Sequence, residues 1–276
     1  MSGTLVLCAT PIGNLSDASP RLRDALASAD IVYCEDTRRS GKLMSALGVK
    51  APLRSYFVAN EAARAGELAD HLRQGETVVL ITDAGMPTVA DPGLTAVRAA
   101  LDVEAVVTVV PGPSAVTAAL AVSGLPSERF VFDGFLPRKQ EQQRARLGDL
   151  ATEPRTIVLF VAASRAEREL SVMAETIGPD RPVAVARELT KLHEEVWRGT
   201  LAEAADHYRE HPPKGELTVV VGGAPVVPGD MEAAIASVQR LVEDGALFSE
   251  AVKRAAGAHE VRRRLLYEAA RRQLDS

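Results

Sequence analysis

The stretch that decides the fold is TVVLIT at residues 77–82, followed directly by DAGMP at residues 83–87. The first run is too short for a helix and lacks the apolar–polar alternation of a half-exposed strand. Such a run is typical of a strand covered on both faces, as in a parallel sheet. The small residues and the Asp83 carboxylate that follow predict a loop at the carboxyl end of that strand.

The rest of the first half repeats this pattern. Three more short apolar runs are TLVLCA at 4–9, DIVYCE at 30–35 and AVVTVV at 105–110. Helical stretches lie between them: Ser19-Pro20 is typical of an N-cap followed by a first-turn proline, and a helical stretch over 61–74 is ended by Gly75. The alternation of strands and helices predicts an α/β layer with a parallel sheet.

A second region begins beyond Gly124-Leu125-Pro126-Ser127. Its strand-like runs mix polar and apolar positions. They are RFVFDGF (129–135), TIVLFVA (156–162), PVAVARE (182–188), EEVWRGT (194–200) and LTVVVGG (217–223). The stretch 182–200 contains no helical pattern and predicts a hairpin. After Val227-Pro228-Gly229 the pattern is helical throughout. We therefore predict an α/β protein of two α/β domains, with a parallel sheet in the first and a mixed sheet in the second, plus a small C-terminal helical segment. The predicted boundaries are 1–124, 125–227 and 228–276.

Composition limits the class of protein. Hydrophobic residues make up 46% and charged residues 25%, the balance of a soluble globular protein, which excludes a disordered tail, a fibre or a disulfide-stapled miniprotein. Cys8 and Cys34 both lie in apolar runs and predict small buried thiols in reduced surroundings. The N-terminal residues lack a basic leader with an apolar region, and no run approaches the roughly 20 apolar residues of a membrane helix. We expect a cytoplasmic protein.

Three loops after strands of the first half are rich in Gly, Pro and small polar residues; they cover residues 10–15, 82–93 and 111–115. Ligands of open α/β sheets collect at the carboxyl ends of the strands, so these loops predict one shared crevice. The chain has no GxGxxG after a strand, no P-loop, no GxSxG and no HExxH. Its five histidines show no convincing metal spacing, so no metal site is expected.

Several motifs resemble those of the tetrapyrrole methylase family of S-adenosylmethionine-dependent (class III) methyltransferases. They are TPIGNL (10–15), YCEDTR (33–38), TDAGMPTVADPG (82–93), PGPSA (111–115), RELTKLHEEVWRGTL (187–201) and KGELTVVV (214–221). The resemblance spans roughly residues 4–272. EDTR, DAGMP with DPG, and TKLHEE together resemble the RNA-modifying branch, whereas porphyrin-modifying relatives typically carry a GGDP-type loop at 83–87.

This resemblance implies a cleft between the two α/β domains that holds S-adenosylmethionine. It also implies 2′-O-methylation of a cytidine ribose in 16S ribosomal RNA at the decoding centre, with 16S rRNA or the 30S subunit as partner. A homodimer without a metal or a membrane association is expected. Two alternatives stay open: a methyltransferase of a tetrapyrrole intermediate, and a non-catalytic RNA-binding protein of ribosome assembly.

The family's cofactor contacts carry over to positions on both halves of the chain. They are Pro11, Asp83, Ala84, Gly85, Met86, Ser114, Ala115, Phe160, Ala162, Leu189, Gly215, Glu216 and Leu217. One loop departs from the family pattern, because relatives often read FYESPHR where this chain has FVAASR at 160–165. The resemblance therefore carries cofactor packing, but no catalytic role, to that loop.

The expected chemistry needs a group that handles the proton of a ribose hydroxyl. Because that hydroxyl is a weak acid, a base must take its proton or nearby cations must stabilise the oxyanion. Two clusters are candidates: Glu35, Asp36 and Arg38; and Arg187, Glu188, Lys191, His193, Glu194 and Glu195. Helix capping by Asp36 or Thr37, and a solvated hairpin edge at Glu194-Glu195, are equally consistent with these patterns. The sequence leaves the base open.

RNA binding by a chain of net charge −5 requires that the charges be segregated. Residues 253–272 hold seven Lys or Arg against two Glu, and residues 138–146 hold four against one. We predict phosphate contacts from Arg138, Lys139, Arg262, Arg263 and Arg264. The C-terminal segment should form a compact helical unit held by Val252, Ala255, Ala256, Val261, Leu265, Leu266 and Ala269.

Overall fold

The computed structural model describes residues 2–225, 231–259, 261 and 263–274. The chain forms two compact units, Met1–Ala224 and Pro225–Ser276. The first unit contains both α/β domains, each with a five-stranded sheet. The predicted fold class is confirmed, whereas the predicted division at residues 124 and 227 stays a prediction.

The sheet of the first domain is parallel throughout and has the order β3-β2-β4-β1-β5. Its strands are β1 (Thr4–Cys8), β2 (Ile31–Cys34), β3 (Leu53–Ser55), β4 (Thr77–Ile81) and β5 (Val106–Val110). The helices of the same region are α1 (Pro20–Ser28), α2 (Thr37–Ala46), α3 (Glu61–Arg73), α4 (Leu94–Asp102) and α5 (Ala115–Ser123). The sequence predicted four of these strands and missed β3, a three-residue edge strand.

Strand β4 is covered on both faces, as its composition predicts. Val78 and Leu80 pack into one apolar cluster with residues of α3 and α4, while Val79 and Ile81 pack into another with residues of α1 and α2. Cys8 and Cys34 lie in the second cluster as free, buried thiols. Because successive side chains of a strand point to opposite faces, each cluster uses alternate residues of the same apolar run.

The second sheet is mixed and has the order β6-β7-β10-β8-β9. Its strands are β6 (Phe130–Phe135), β7 (Thr156–Ala162), β8 (Pro182–Arg187), β9 (Glu195–Thr200) and β10 (Glu216–Val221). Only β6 and β7 pair in parallel; β8 and β9 form the predicted hairpin. Helices α6 (Gln140–Leu150), α7 (Ala166–Ile177) and α8 (Leu201–Glu210) contribute to a core with one face of this sheet.

Helix α5 joins the two α/β domains. Its Val116 and Leu120 pack with Val158, Ala184 and Val220 on the other face of the second sheet. The helix begins directly after the strand-end loop 111–114 of the first sheet. It therefore holds the carboxyl edge of the first sheet against the second sheet.

The second unit, described by itself, contains α9 (Met231–Glu243), α10 (Phe248–Ala258) and α11 (Arg263–Leu274). Its core contains the predicted residues Val252, Ala255, Ala256, Val261 and Leu266. The predictions for Leu265 and Ala269 were wrong: Leu265 is 49% exposed and neither residue belongs to the core cluster, which contains Ala270 together with the predicted Leu266. Leu266 and Ala270 are four apart and share a face of α11. No helix in the described ranges combines the length and apolarity needed to cross a membrane.

Candidate functional site

A cleft of about 640 Å³ lies within the first unit, where the strand-end loops of the first sheet meet residues of the second sheet. Its size is typical of small-molecule sites. Residues from all three predicted loops line it directly, as do residues from the ends of β7, β8 and β10. Every residue to which the resemblance assigns a cofactor contact lines this cleft except Pro11, which is buried outside the lining.

The loops after β1 and β4 are fixed to each other by backbone hydrogen bonds. The Thr10 N–H donates to the Gly85 carbonyl at 2.9 Å, and the Gly85 N–H donates to the Thr10 carbonyl at 3.1 Å. The Thr10 hydroxyl also donates to the buried Thr82 carbonyl at 3.1 Å. Gly85 has φ +78°, a conformation that favours glycine. This pair sets the shape of the cleft floor.

Asp83 ties the loop after β4 to the loop after β2. Its Oδ1 accepts from the Asp36 backbone N–H at 3.1 Å, and its Oδ2 accepts from the Arg39 guanidinium at 3.1 Å. Both carboxylate oxygens therefore have protein partners. The arrangement makes Asp83 a positioning residue for the EDTR loop.

Two further carboxylates line the same side of the cleft. Burial, together with the negative charge of Asp83, raises the pKa of Glu35. Burial and the charges of Glu35 and Asp83 raise the pKa of Asp91 to about 6. The sequence reasoning did not select Asp91, although the loop 82–93 visibly carries a second carboxylate in its DPG. We refer to Glu35, Asp83 and Asp91 as the acidic rim.

Asp36 and Arg38 do not line the cleft. Asp36 is the N-cap of α2: its Oδ1 accepts from the Arg38 backbone N–H at 2.8 Å, and its Oδ2 accepts from the guanidinium at 2.7 Å. These hydrogen bonds hold the pKa of Asp36 well below its ordinary value. The Arg38 side chain is 87% exposed. Of the alternatives for this motif, the structure shows helix capping by Asp36.

The cleft lining also carries a lysine between two carboxylates. Lys191 Nζ donates to Glu188 Oε1 and to Glu216 Oε2, both at 2.9 Å. Burial disfavours the charged lysine, but these two hydrogen bonds outweigh burial and raise its pKa. The hydrogen bond from Lys191 lowers the pKa of Glu188. We call Glu188, Lys191 and Glu216 the lysine rim; at neutral pH its lysine is a fixed cation and its Glu188 is a poor base.

The backbone around the lysine rim is shaped to fit it. Glu188 and Thr190 have φ of +50° and +66°, a region that non-glycine residues rarely adopt. A Cβ on Gly13 would overlap the Lys191 side chain, and a Cβ on Gly215 would overlap the Glu188 carboxylate. Two glycines from separate loops thus make room for this group.

The remaining residues of the second predicted cluster form the hairpin rather than the cleft. His193 and Glu194 are exposed, and Glu194 accepts from the Thr190 backbone N–H at 2.6 Å. Arg187 pairs with Glu195 across β8 and β9 at 2.9 Å. In the described ranges, no group of three or more His, Cys, Asp or Glu is arranged to hold a metal ion.

The predicted phosphate contacts lie on exposed surface where they are described. Arg138 and Lys139 are exposed between β6 and α6. Arg263 and Arg264 are exposed on α11, and Arg264 pairs with Glu268 at 3.2 Å. Arg262 lies outside the described residues.

The fold matches solved structures of methyltransferases. The crystal structure of uroporphyrin-III C-methyltransferase from Thermus thermophilus, complexed with S-adenosylhomocysteine, has a TM-score of 0.56 to this chain and 20% identity. The match covers 80% of this chain and 97% of that one. At this identity the likeness shows the fold.

Sequence comparison is more specific. Residues 4–205 match the family of tetrapyrrole (corrin/porphyrin) methylases. Ribosomal RNA small subunit methyltransferase I of Mycobacterium tuberculosis is 47% identical over 97% of this chain and 94% of its own length. The protein of the same name from Thermotoga maritima is 42% identical and matches over 99% of its length, but over only 80% of this chain.

These findings and the cleft define an S-adenosylmethionine-dependent methyltransferase. More specifically, the chain belongs to the tetrapyrrole methylase family.

The cleft fits S-adenosylmethionine, which carries a purine, a carboxylate and two positive charges. Apolar side chains suit the purine, among them Ile12, Met86, Phe160 and Leu189. Glu35 supplies negative charge for the cationic groups. The N-terminus of α5, where Ser114 and Ala115 line the cleft, has no side-chain cap among the described residues and suits a carboxylate.

Proposed function

We propose that this methyltransferase modifies the 2′-oxygen of a cytidine ribose in 16S ribosomal RNA, at the decoding centre of the small subunit. The observation that carries the proposal is the cleft, in which a carboxylate with a pKa of about 6 and a lysine cation line the same cavity. The names of the relatives over nearly the whole chain support ribosomal RNA as the substrate. The tetrapyrrole methyltransferases support only the fold.

The proposed chemistry divides the work between the two rims. Bound S-adenosylmethionine supplies a methyl group that its sulfonium already activates. Asp91 is ionised at neutral pH and accepts the proton of the ribose hydroxyl, and its pKa of about 6 is near the value that favours a general base. Lys191 stabilises the negative charge that develops on the acceptor oxygen. Glu188 and Glu216 hold that cation in position.

A matched set of assays tests the activity. Tritiated S-adenosylmethionine is supplied with 30S subunits, naked 16S rRNA, 50S subunits and uroporphyrinogen III, and the labelled nucleotide is mapped. We expect label in one cytidine ribose of the small-subunit RNA and none in the 50S or tetrapyrrole samples. The 30S and naked-RNA samples show which of the two is the substrate. Label on the tetrapyrrole, or on a base instead of a ribose, would contradict the proposal.

The second unit is proposed to bind RNA without taking part in the chemistry. The Thermotoga relative, 99% of whose length matches 80% of this chain, supports a methyltransferase that does not need about a fifth of the chain. The charge-reversed variant R262E/R263E/R264E should raise the KM for 30S subunits and keep the affinity for S-adenosylmethionine. Each lost phosphate contact should reduce the salt slope of RNA binding by about one unit. Normal methylation by this variant at physiological salt would contradict the role.

A homodimer is also proposed from the family resemblance. Sedimentation at micromolar concentration should show twice the mass of the chain. A monomer under those conditions would contradict it.

A further inference from the structure

An aromatic ring lies uncovered at the edge of the cleft. Phe135 is the last residue of β6, lines the cleft and is 54% exposed. Leaving a phenyl ring in water costs free energy that burial would recover. The family resemblance assigns no cofactor contact to this ring, so it is available to another ligand.

A bulge in β6 brings the ring to this face. Phe132 pairs with Val158 and Phe135 pairs with Phe160, so three steps on β6 match two steps on β7. Residues three apart in a regular strand point to opposite faces, but the extra residue puts Phe132 and Phe135 on the same face. Gly134, with φ +68°, provides the left-handed backbone that the irregularity uses.

The ring is supported from behind by other aromatic side chains. The centroids of Phe135 and Phe160 are 5.3 Å apart with the rings tilted by 55°, and Phe160 meets Phe132 edge to face at 5.0 Å. Phe160 also lines the cleft. This packing fixes the position of Phe135 while leaving about half of its surface available.

Two free cations follow the ring. The side chains of Arg138 and Lys139 are exposed, and neither side chain has an ion pair or hydrogen bond in the part of the chain that is described, although the Lys139 carbonyl accepts from the Gln143 N–H at 3.0 Å. The other two cations of this basic stretch are neutralised, because Arg144 pairs with Glu175 and Arg146 pairs with Asp133. Among the four cations of residues 138–146, the two side chains without an ionic partner are therefore Arg138 and Lys139, three and four residues after Phe135.

We propose that Phe135 stacks on the base of the acceptor nucleotide while Arg138 and Lys139 bind the phosphates next to it. An exposed aromatic ring beside free cations is how proteins hold unstacked, single-stranded RNA. If Phe135 stacked on the adenine of S-adenosylmethionine instead, Arg138 and Lys139 would have no partner, because the cofactor has no phosphate. The inference rests on the proposed function, since it names the part of the site that receives the RNA.

Steady-state methylation of 30S subunits tests the stacking. Phe135→Leu removes the ring and keeps an apolar side chain, whereas Phe135→Tyr keeps the ring. Phe130→Leu is the matched control, because Phe130 is also exposed on β6, at 37%, but does not line the cleft. We expect F135L to raise the KM for 30S subunits about tenfold, the range of one lost base–aromatic stack, with F135Y and F130L within about twofold of the unmodified enzyme.

Two further measurements separate stacking from other roles. The affinity for S-adenosylmethionine, measured by calorimetry, should be the same in F135L and the unmodified enzyme. R138A/K139A should reduce the salt slope of RNA binding by about 1.4 units, the value for two phosphate contacts with single-stranded RNA, whereas F135L should leave the slope unchanged.

Each result bears on a distinct statement. An unmodified enzyme that methylates 30S subunits with a KM equal to that of F135L overturns the inference and leaves the proposed function intact. A loss of S-adenosylmethionine affinity in F135L also overturns it, because the ring would then contact the cofactor. An unmodified enzyme that methylates neither 30S subunits nor 16S rRNA removes the proposed function itself. The stacking inference is supported if F135L has a raised KM for 30S subunits and an unchanged affinity for S-adenosylmethionine, while F135Y has the KM of the unmodified enzyme.

Discussion

Carboxylates lie on both rims of the cleft, but their pKa values are shifted in opposite directions. On the acidic rim, Glu35 and Asp91 are half-buried near other carboxylates, and their pKa values are raised. On the lysine rim, Glu188 accepts a hydrogen bond from Lys191, and its pKa is lowered. A carboxylate with a raised pKa exchanges protons near neutrality, whereas one with a lowered pKa remains a fixed anion. The neighbours, and not the residue type, decide which carboxylate can act as a base.

The largest effect should follow the loss of the proposed base. Asp91→Asn should lower kcat at least about a hundredfold, the lower range for general-base catalysis. Because the folded-state pKa of Asp91 is raised, its charged form destabilises the fold as the pH rises through about 6. The melting temperature of D91N at pH 7 should therefore be higher than that of the unmodified enzyme. Unchanged kcat would assign the base elsewhere.

The pH profile sharpens this prediction. In the unmodified enzyme, kcat/KM, which reports the groups of the free enzyme, should fall with one proton as the pH drops below about 6, where Asp91 is protonated. Glu35→Gln removes one of the charges that raise this pKa, so the acidic limb should shift to lower pH. If activity falls at the same acidic pH in E35Q as in the unmodified enzyme, the charge of Glu35 does not affect the pKa of Asp91.

Breaking the lysine rim should have the next largest effect. Lys191→Met removes the cation from between Glu188 and Glu216, and kcat should fall about ten- to a hundredfold. The ordinary pKa of a glutamate is near 4.3, and Lys191 lowers the pKa of Glu188 in the folded protein. The pairing therefore stabilises the unmodified protein fully at pH values above about 4.3, and this stabilisation is lost as the pH falls through the lowered pKa. K191M lacks this contribution, so its melting temperature should fall less on acidification. Equal acid sensitivity would contradict the pairing.

The third comparison asks whether Asp83, which positions the EDTR loop, also affects the affinity for S-adenosylmethionine. Asp83→Ala frees the Asp36 backbone N–H and Arg39, and S-adenosylmethionine affinity should fall about tenfold. Asp30→Ala is the matched control, because Asp30 accepts from the Thr77 backbone N–H at 2.8 Å at the other edge of the same sheet. Calorimetry should show reduced affinity in D83A alone. A similar loss in D30A would mean that general destabilisation is responsible.

The smallest effect should come from the glycine that makes room for the lysine rim. Gly215→Ala must displace the Glu188 carboxylate, and S-adenosylmethionine affinity should fall about threefold. Gly48→Ala provides the comparison, since Gly48 also has a positive φ but a Cβ there would meet nothing. Both variants should lose stability by about 1 kcal/mol for the left-handed backbone. Equal affinity in the two variants would argue against the close fit at Glu188.

Much of the fold follows from local sequence features. The doubly covered strand β4, the capped start of α1 at Ser19 and the end of α3 before Gly75 each depend on a few adjacent residues. The convergence of the strand-end loops follows because parallel strands end at one edge of a sheet. Strand β3 was missed because three residues are too few to show the apolar pattern from which a strand is predicted.

The chemistry of the site was less predictable because it depends on tertiary neighbours. Asp36 and Asp91 look equally suitable in sequence, yet Asp36 caps a helix and Asp91 is half-buried in the lining of the cleft. The raised pKa of Asp91 requires Glu35 and Asp83, which are distant along the chain. The bulge that turns Phe135 to the cleft is a property of the pairing of two strands, and Gly134 alone does not reveal it.

The strand order of the first sheet has a consequence during biosynthesis. Strand β1 pairs only with β4 and β5, so the first apolar run to be made must wait for residues 77–110. At bacterial and eukaryotic synthesis rates, its first partner follows about 4 to 14 seconds later. The cleft needs Leu217 as well as Ile12, so the cofactor cannot stabilise the nascent chain until almost the whole first unit has been translated. Until then, the exposed β1 is a segment for chaperones to shield.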